Sequence, residues 1–256
     1  MTGLKHIRVQ TSEAVSRIVL ARPKHNVLNI EMMKELVSAL EALRQDDALK
    51  CIVILGEGRS WCAGVDVGEH KPERVEEMIG TFNRIFETLR GIEVPVIAAV
   101  KGAALGGGME LAVACDIVIA AKSAIFGQPE IRLGFLPPYA AIRLTELIGP
   151  AKAVEICTTG KTYSAEEAQK FGFVGTVVED ESFDSAVESI VGQIAAGSPL
   201  IIRLNKRAVT VNQGKDFPSA LKGVTDLFLN TLMKTEDTLE GIASFYEKRK
   251  PVWKNR

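Results

Sequence analysis

The 256-residue sequence has no surplus of charge of either sign: 31 basic residues offset 32 acidic ones, for a formal net charge of −1. Without a basic excess there is no electrostatic drive toward nucleic acid or an anionic membrane. Cysteine is scarce, and Cys51, Cys62, Cys115 and Cys157 show no CxxC spacing. That pattern excludes a disulfide framework or zinc knuckle and predicts reduced thiols in a cytoplasmic protein. His6 and His25 belong to no cysteine or carboxylate constellation of metal-ligand type, so no metal is expected. Long apolar runs are missing too: the longest, at 94–100 and 111–121, fall short of the ~20 residues a membrane helix needs. The start, Met1-Thr2-Gly3-Leu4-Lys5-His6, has no charged-then-apolar signal pattern. A soluble protein is expected. There is no low-complexity linker and no tandem repeat.

What remains is an ordinary globular composition, 46% apolar and 25% charged, long enough for one domain or one domain with a helical appendage. Residues 6–20 alternate apolar and polar around Gln10-Thr11-Ser12-Glu13, as a β-hairpin does. Arg22-Pro23-Lys24-His25-Asn26 reads as a loop. Met33, Leu36, Val37, Leu40 and Leu43 recur at helical spacing, as do Met78, Phe82, Ile85, Phe86 and Leu89. Cys51-Ile52-Val53-Ile54-Leu55 is a fully apolar run of the kind found in a parallel strand buried on both faces, and 96–100 and 117–120 repeat it. Strand–helix–strand alternation predicts an α/β fold with a mostly parallel sheet. Beyond about residue 139 helical patterns follow one another, at 144–147, 153–157, 165–171, 183–196, 199–213 and 220–246, with one edge strand near Gly175-Thr176-Val177-Val178.

Two segments carry glycines where a strand should hand over to a helix. One is Gly56-Glu57-Gly58-Arg59-Ser60-Trp61-Cys62-Ala63-Gly64-Val65-Asp66-Val67; the other is Lys101-Gly102-Ala103-Ala104-Leu105-Gly106-Gly107-Gly108-Met109-Glu110-Leu111. Both follow apolar strands, placing them at the carboxyl end of a parallel sheet, where open α/β folds bind ligands. Three glycines before a helix cost conformational entropy. A bare backbone, however, admits a ligand closely to the unpaired N–H groups and positive dipole of the helix start. The segment therefore reads as an oxyanion cradle. It lacks the Lys-Ser/Thr of a P-loop and the GxGxxG of a dinucleotide site.

These segments, taken in order with Cys115-Asp116, Phe126-Gly127-Gln128-Pro129-Glu130, Arg22-Pro23-Lys24, Leu28-Asn29 and the terminal Lys248-Arg249-Lys250-Pro251-Val252-Trp253, resemble the enoyl-CoA hydratase/isomerase (crotonase) superfamily over nearly the whole chain. The resemblance implies a crotonase-like (ββα) superhelix at 1–195 and a helical trimerisation region at 196–256, assembled as a homotrimer or a hexamer of paired trimers. It implies an acyl-CoA thioester as substrate and no cofactor beyond the coenzyme A that the substrate carries. The N–H groups of Val65 and Gly107 would hold the thioester oxygen, each contributing roughly 3–4 kcal/mol to an enolate. Lys24, Val27, Ala63, Asp66, Val67, Gly68, Gly106 and Pro138 would line the CoA and substrate path. Glu110 and Glu130 fall where hydratases carry an acid/base pair, which can divide its tasks if the two pKa values differ.

After Leu133-Gly134-Phe135-Leu136-Pro137 the chain departs from that pattern. Hydratases continue with glycine, whose N–H helps hold the catalytic water; here stands Pro138, which has no N–H, followed by Tyr139. The leading expectation is therefore hydration of a 2-enoyl-CoA, including an alicyclic or otherwise unusual one. Double-bond isomerisation is the alternative within enzymes, and a crotonase-fold RNA-binding protein the alternative outside them. Asp116 is expected to make structural hydrogen bonds. His70, alone in the polar Glu69-His70-Lys71, is expected to be solvated.

Overall fold

A computed structural model describes residues 3–256; Met1 and Thr2, part of the start inspected for a signal pattern, lie outside them. The strands are β1 (Ile7–Ser12), β2 (Val15–Leu20), β3 (Cys51–Gly56), β4 (Ser60–Cys62), β5 (Val96–Val100), β6 (Ala103–Leu105), β7 (Ile117–Ala121), β8 (Ile125–Gly127), β9 (Thr162–Ser164) and β10 (Thr176–Val178). The helices are α1 (Ile30–Leu43), α2 (Val75–Arg90), α3 (Gly107–Ala114), α4 (Pro138–Ile148), α5 (Pro150–Thr159), α6 (Ala165–Phe171), α7 (Phe183–Ala195), α8 (Pro199–Thr210), α9 (Phe217–Asn230) and α10 (Glu236–Glu247). Among the described residues no single helix is long and apolar enough to cross a membrane.

The predicted hairpin forms the antiparallel pair β1–β2. It opens a six-stranded sheet of order β1-β2-β3-β5-β7-β10, in which every later pairing is parallel. The apolar strands are buried on both faces, and their side chains alternate between two cores. Ile52, Ile54, Val96, Ala98, Val118 and Ala120 enter the larger core with α1, α2 and α3. Cys51, Val53, Ile97, Ala99, Ile119 and Ala121 pack under Phe183, Val187 and Val191 of α7. This accounts for the absence of polar alternation in their sequence.

A second sheet, β4-β6-β8-β9, supplies the second strand of each unit of the ββα superhelix that the resemblance implies, although the periodicity gave no sign of it. Each of its strands has three residues, too few to show a period. With it, the chain repeats strand, short strand, helix: β3-β4-α2, then β5-β6-α3, a ββα turn that stacks the two glycine segments side by side. Asp116 makes the expected structural bonds, accepting from the Val96 N–H (2.7 Å) and the Lys206 ammonium (2.6 Å).

Two helical expectations need correction. The pattern at 220–246 is not one helix. It breaks at Thr231 (φ −121°, ψ −64°) and restarts where the Thr235 hydroxyl caps α10 by accepting from the Thr238 N–H. Helix α4 begins earlier than its apolar spacing suggested because Pro138 fits the first helical position, where a missing N–H costs nothing.

Candidate active site

The first glycine segment is held against the 22–28 loop by backbone bonds. Ala63 N–H donates to His25 O (2.9 Å), Leu28 N–H to Gly64 O (2.8 Å) and Asp66 N–H to Leu28 O (2.8 Å). Leu28 thus makes a parallel bridge to Val65 using the residues on either side of it. The N–H of Val65 itself points away, and among the described residues it has no acceptor. Asp66 caps the following 3-10 turn Val67–His70 by accepting from Gly68 N–H (2.9 Å), and its other oxygen pairs with Arg22 (3.5 Å). Lys24 and Val67 are exposed and Val27 is half-buried along the rim of this loop.

The second segment needs its three glycines for three different reasons. Gly106 has φ +54° and ψ −130°, and a Cβ there would meet Glu130 Oε1 at 2.2 Å. A Cβ on Gly107 would meet Val65 Cγ2 at 2.6 Å, so the two candidate oxyanion donors lie side by side. A Cβ on Gly108 would meet Cys62 O at 2.1 Å, where α3 crosses β4. The Gly107 N–H opens α3, has no partner among the described residues, and carries the positive end of the helix.

Around Gly106 the two carboxyl groups converge. Its carbonyl accepts from the Glu110 N–H (2.9 Å), and its α-carbon faces the Glu130 carboxylate. Glu110, 2% exposed, is gripped through one oxygen by the Tyr139 (2.7 Å) and Ala140 (2.8 Å) N–H groups at the start of α4. Burial nonetheless pushes Glu110 up to about 7, opposed by those two N–H bonds and reinforced by the charge of Glu130. Glu130 lies on a 3-10 turn, Pro129–Leu133, and burial pushes it up to about 7 as well. The buried Gln128 carboxamide lies against Glu130 and, turned with its nitrogen toward the carboxylate, would donate to both oxygens (2.9 and 3.1 Å). Two carboxyl groups that titrate together near neutrality, beside two unpaired N–H groups, can move protons at a carbon whose neighbouring oxygen is held.

A model of the family described as enoyl-CoA hydratase/isomerase matches residues 10–256. The chain belongs to the enoyl-CoA hydratase/isomerase family. It is 35% identical over 252 residues to the crotonyl-CoA hydratase of Syntrophomonas wolfei subsp. wolfei, covering 96% of each chain. It is 34% identical over 262 residues to the short-chain-enoyl-CoA hydratase of Clostridium acetobutylicum, covering 99% of each. Among solved structures, an enoyl-CoA hydratase from Bacillus anthracis is similar with a TM-score of 0.93 at 32% identity, over 98% of this chain and 100% of that one. The expected family, its crotonase-like α/β fold and its enzyme class are borne out.

In this family member the structure brings Val65, Gly106, Gly107, Glu110 and Glu130 into one place, with Ala63, Asp66 and Gly68 on the loop beneath. Pro138 stands at the head of α4, immediately before the two N–H groups that hold Glu110. His70 is not solvated as expected. It is half-buried, its Nδ1 donating to the Asp66 carbonyl (3.0 Å) and its ring packed on Phe135 (4.6 Å between centroids). Sequence reasoning also missed Asn26. Fully buried, it donates to the carbonyls of Glu57, Ser60 and Trp61 and so fixes the loop that carries Leu28. Among the described residues no three His, Cys, Asp or Glu side chains converge as a metal site would require.

Proposed function

We propose that this chain adds water to the double bond of a 2-enoyl-CoA thioester. The observation that carries the reading is the convergence of Glu110 and Glu130 on Gly106, beside the unpaired N–H groups of Val65 and Gly107. Those N–H groups bind the thioester oxygen. Glu110, whose charge is favoured by two backbone donors, takes a proton from water, and the hydroxyl joins the β-carbon. Electrons move onto the held oxygen as an enolate, which each donor stabilises by roughly 3–4 kcal/mol in a dry site. Glu130 then delivers its proton to the α-carbon. Gln128 suits this cycling role because its amide can present nitrogen to the ionised carboxylate or oxygen to the protonated one. The reaction needs only the substrate and water.

Loops 22–28 and 63–68, with Lys24, Val27 and Val67 on their rim, support placing the coenzyme A moiety there. A homotrimeric assembly, or a pair of trimers, is supported by α9, which buries no residue within one chain and exposes Phe217, Phe228 and Leu229. Pro138 favours a second reading, in which no ordered water is held and one glutamate shuttles a proton to move the double bond. Mass spectrometry over straight-chain, branched and cyclic unsaturated CoA esters separates the two. Hydration adds the mass of water, isomerisation adds nothing, and absence of any product rules out both.

A further inference from the structure

An aromatic wall bounds the glutamate pair on one side. Phe82 of α2 lies against Gly107, where a Cβ would meet its Cζ at 3.1 Å. Phe86 packs edge-on to Phe82 (4.7 Å between centroids, 80°) and face to face with Tyr139 (3.8 Å, 8°). The Tyr139 N–H in turn holds Glu110. Three rings thus run unbroken from the candidate oxyanion glycine to the head of α4. Behind the last of them opens a cavity of about 680 Å³, with Tyr139 as one wall and Leu89, Ile117, Ile201, Ile202 and Val209 among its apolar lining. Neither glutamate and neither oxyanion donor lines that cavity. The stack is therefore a partition between the reacting atoms and a space large enough for an alkyl chain, lined by those apolar side chains on one part and by Arg90, Asp116, Arg143, Glu146 and Lys206 on another. It is also stiff: Phe86 is 6% exposed, and Tyr139 follows two prolines that fix the backbone direction at the start of α4.

We propose that the Tyr139–Phe86 stack is the stop at the far end of the acyl pocket, restricting the enzyme to compact acyl groups. This rests on the reading of the chain as an enzyme of enoyl-CoA thioesters. Truncating Tyr139 removes the cavity's wall, and truncating Phe86 takes away the ring that Tyr139 is stacked on and loosens that wall; either change admits longer chains, each buried methylene then favouring the long substrate.

The test is kcat/KM for crotonyl-CoA and for trans-2-decenoyl-CoA, measured on the parent, Tyr139→Ala, Phe86→Leu and Tyr139→Phe. The decenoyl-to-crotonyl ratio is expected to rise about tenfold or more in Tyr139→Ala and to rise in Phe86→Leu, and to stay near the parent's in Tyr139→Phe, which keeps the ring. Phe86→Leu retains an apolar side chain in the core and so tests the stop even if Tyr139→Ala folds poorly. A parent that turns over decenoyl-CoA as well as crotonyl-CoA overturns the proposal. So does a ratio that stays near the parent's in both truncations while crotonyl-CoA is consumed. A parent inactive on every enoyl thioester overturns the functional reading itself, and the stop with it.

Discussion

Gly106→Ala places one methyl group where the Glu130 carboxylate now lies. The Cβ would stand 2.2 Å from Oε1, whereas ordinary contact begins at 3.4 Å, so the carboxylate must retreat by the difference, about 1.2 Å. A displacement of that size at a reacting group costs on the order of 10²-fold in rate. The backbone adds a second cost: at φ +54°, ψ −130° an alanine is strained by about 1–3 kcal/mol. In a chain of this size each kcal/mol lowers Tm by about 2–4 °C. The variant is thus expected to fold, melt several degrees early and lose about 100-fold in kcat on an enoyl-CoA substrate. Thermal denaturation followed by steady-state kinetics below the new Tm separates the two effects. Wild-type kcat in folded Gly106→Ala would refute the placement of Glu130 at the reacting carbon.

Three further outcomes follow from the same geometry. The folded-state pKa values of Glu110 and Glu130 lie near 7, against an ordinary value of 4.5, so the native chain holds more protons than the unfolded one between those values. The stability these groups contribute is full below pH 4.5 and is lost as pH rises through 7. Glu110→Gln, whose amide oxygen can still accept from Tyr139 and Ala140, is expected to gain about 1–3 kcal/mol over the parent at pH 8 and little at pH 4. Denaturant titrations at both pH values check the sign. With one carboxyl ionised and the other protonated, kcat/KM is expected to follow a narrow bell centred near pH 7; a flat profile from pH 5 to 9 contradicts the shared titration. Val65→Ala keeps the backbone donor and is expected to keep kcat near the parent's, whereas Val65→Pro removes it and loses about 10²–10³-fold. Equal losses in the two variants would mean that the side chain, not the N–H, matters.

The central strands were legible because burial on both faces leaves β3, β5 and β7 apolar throughout. Helices α1 and α2 were legible because their buried residues keep a helical period. The second sheet was not: Ser60–Cys62 and Ala103–Leu105 are too short to carry a pattern, yet their parallel pairing is what sets the glycine segments side by side. At the candidate site the glycine run was visible, but the reason for each glycine was not, since each is fixed by an atom distant in sequence: Glu130 Oε1, Val65 Cγ2 and Cys62 O. Asn26 was missed and His70 misjudged for one reason. Polar residues in polar stretches read as solvated, and only the fold supplies the carbonyls that satisfy them when buried.

The most direct test is to incubate a 2-enoyl-CoA with the protein in 18O-labelled water and follow the product by mass. The expected result is one labelled oxygen per product, formed at least about 100-fold more slowly by Glu130→Gln and by Glu110→Gln. Unlabelled product, or Glu130→Gln as fast as the parent, would contradict hydration by this pair.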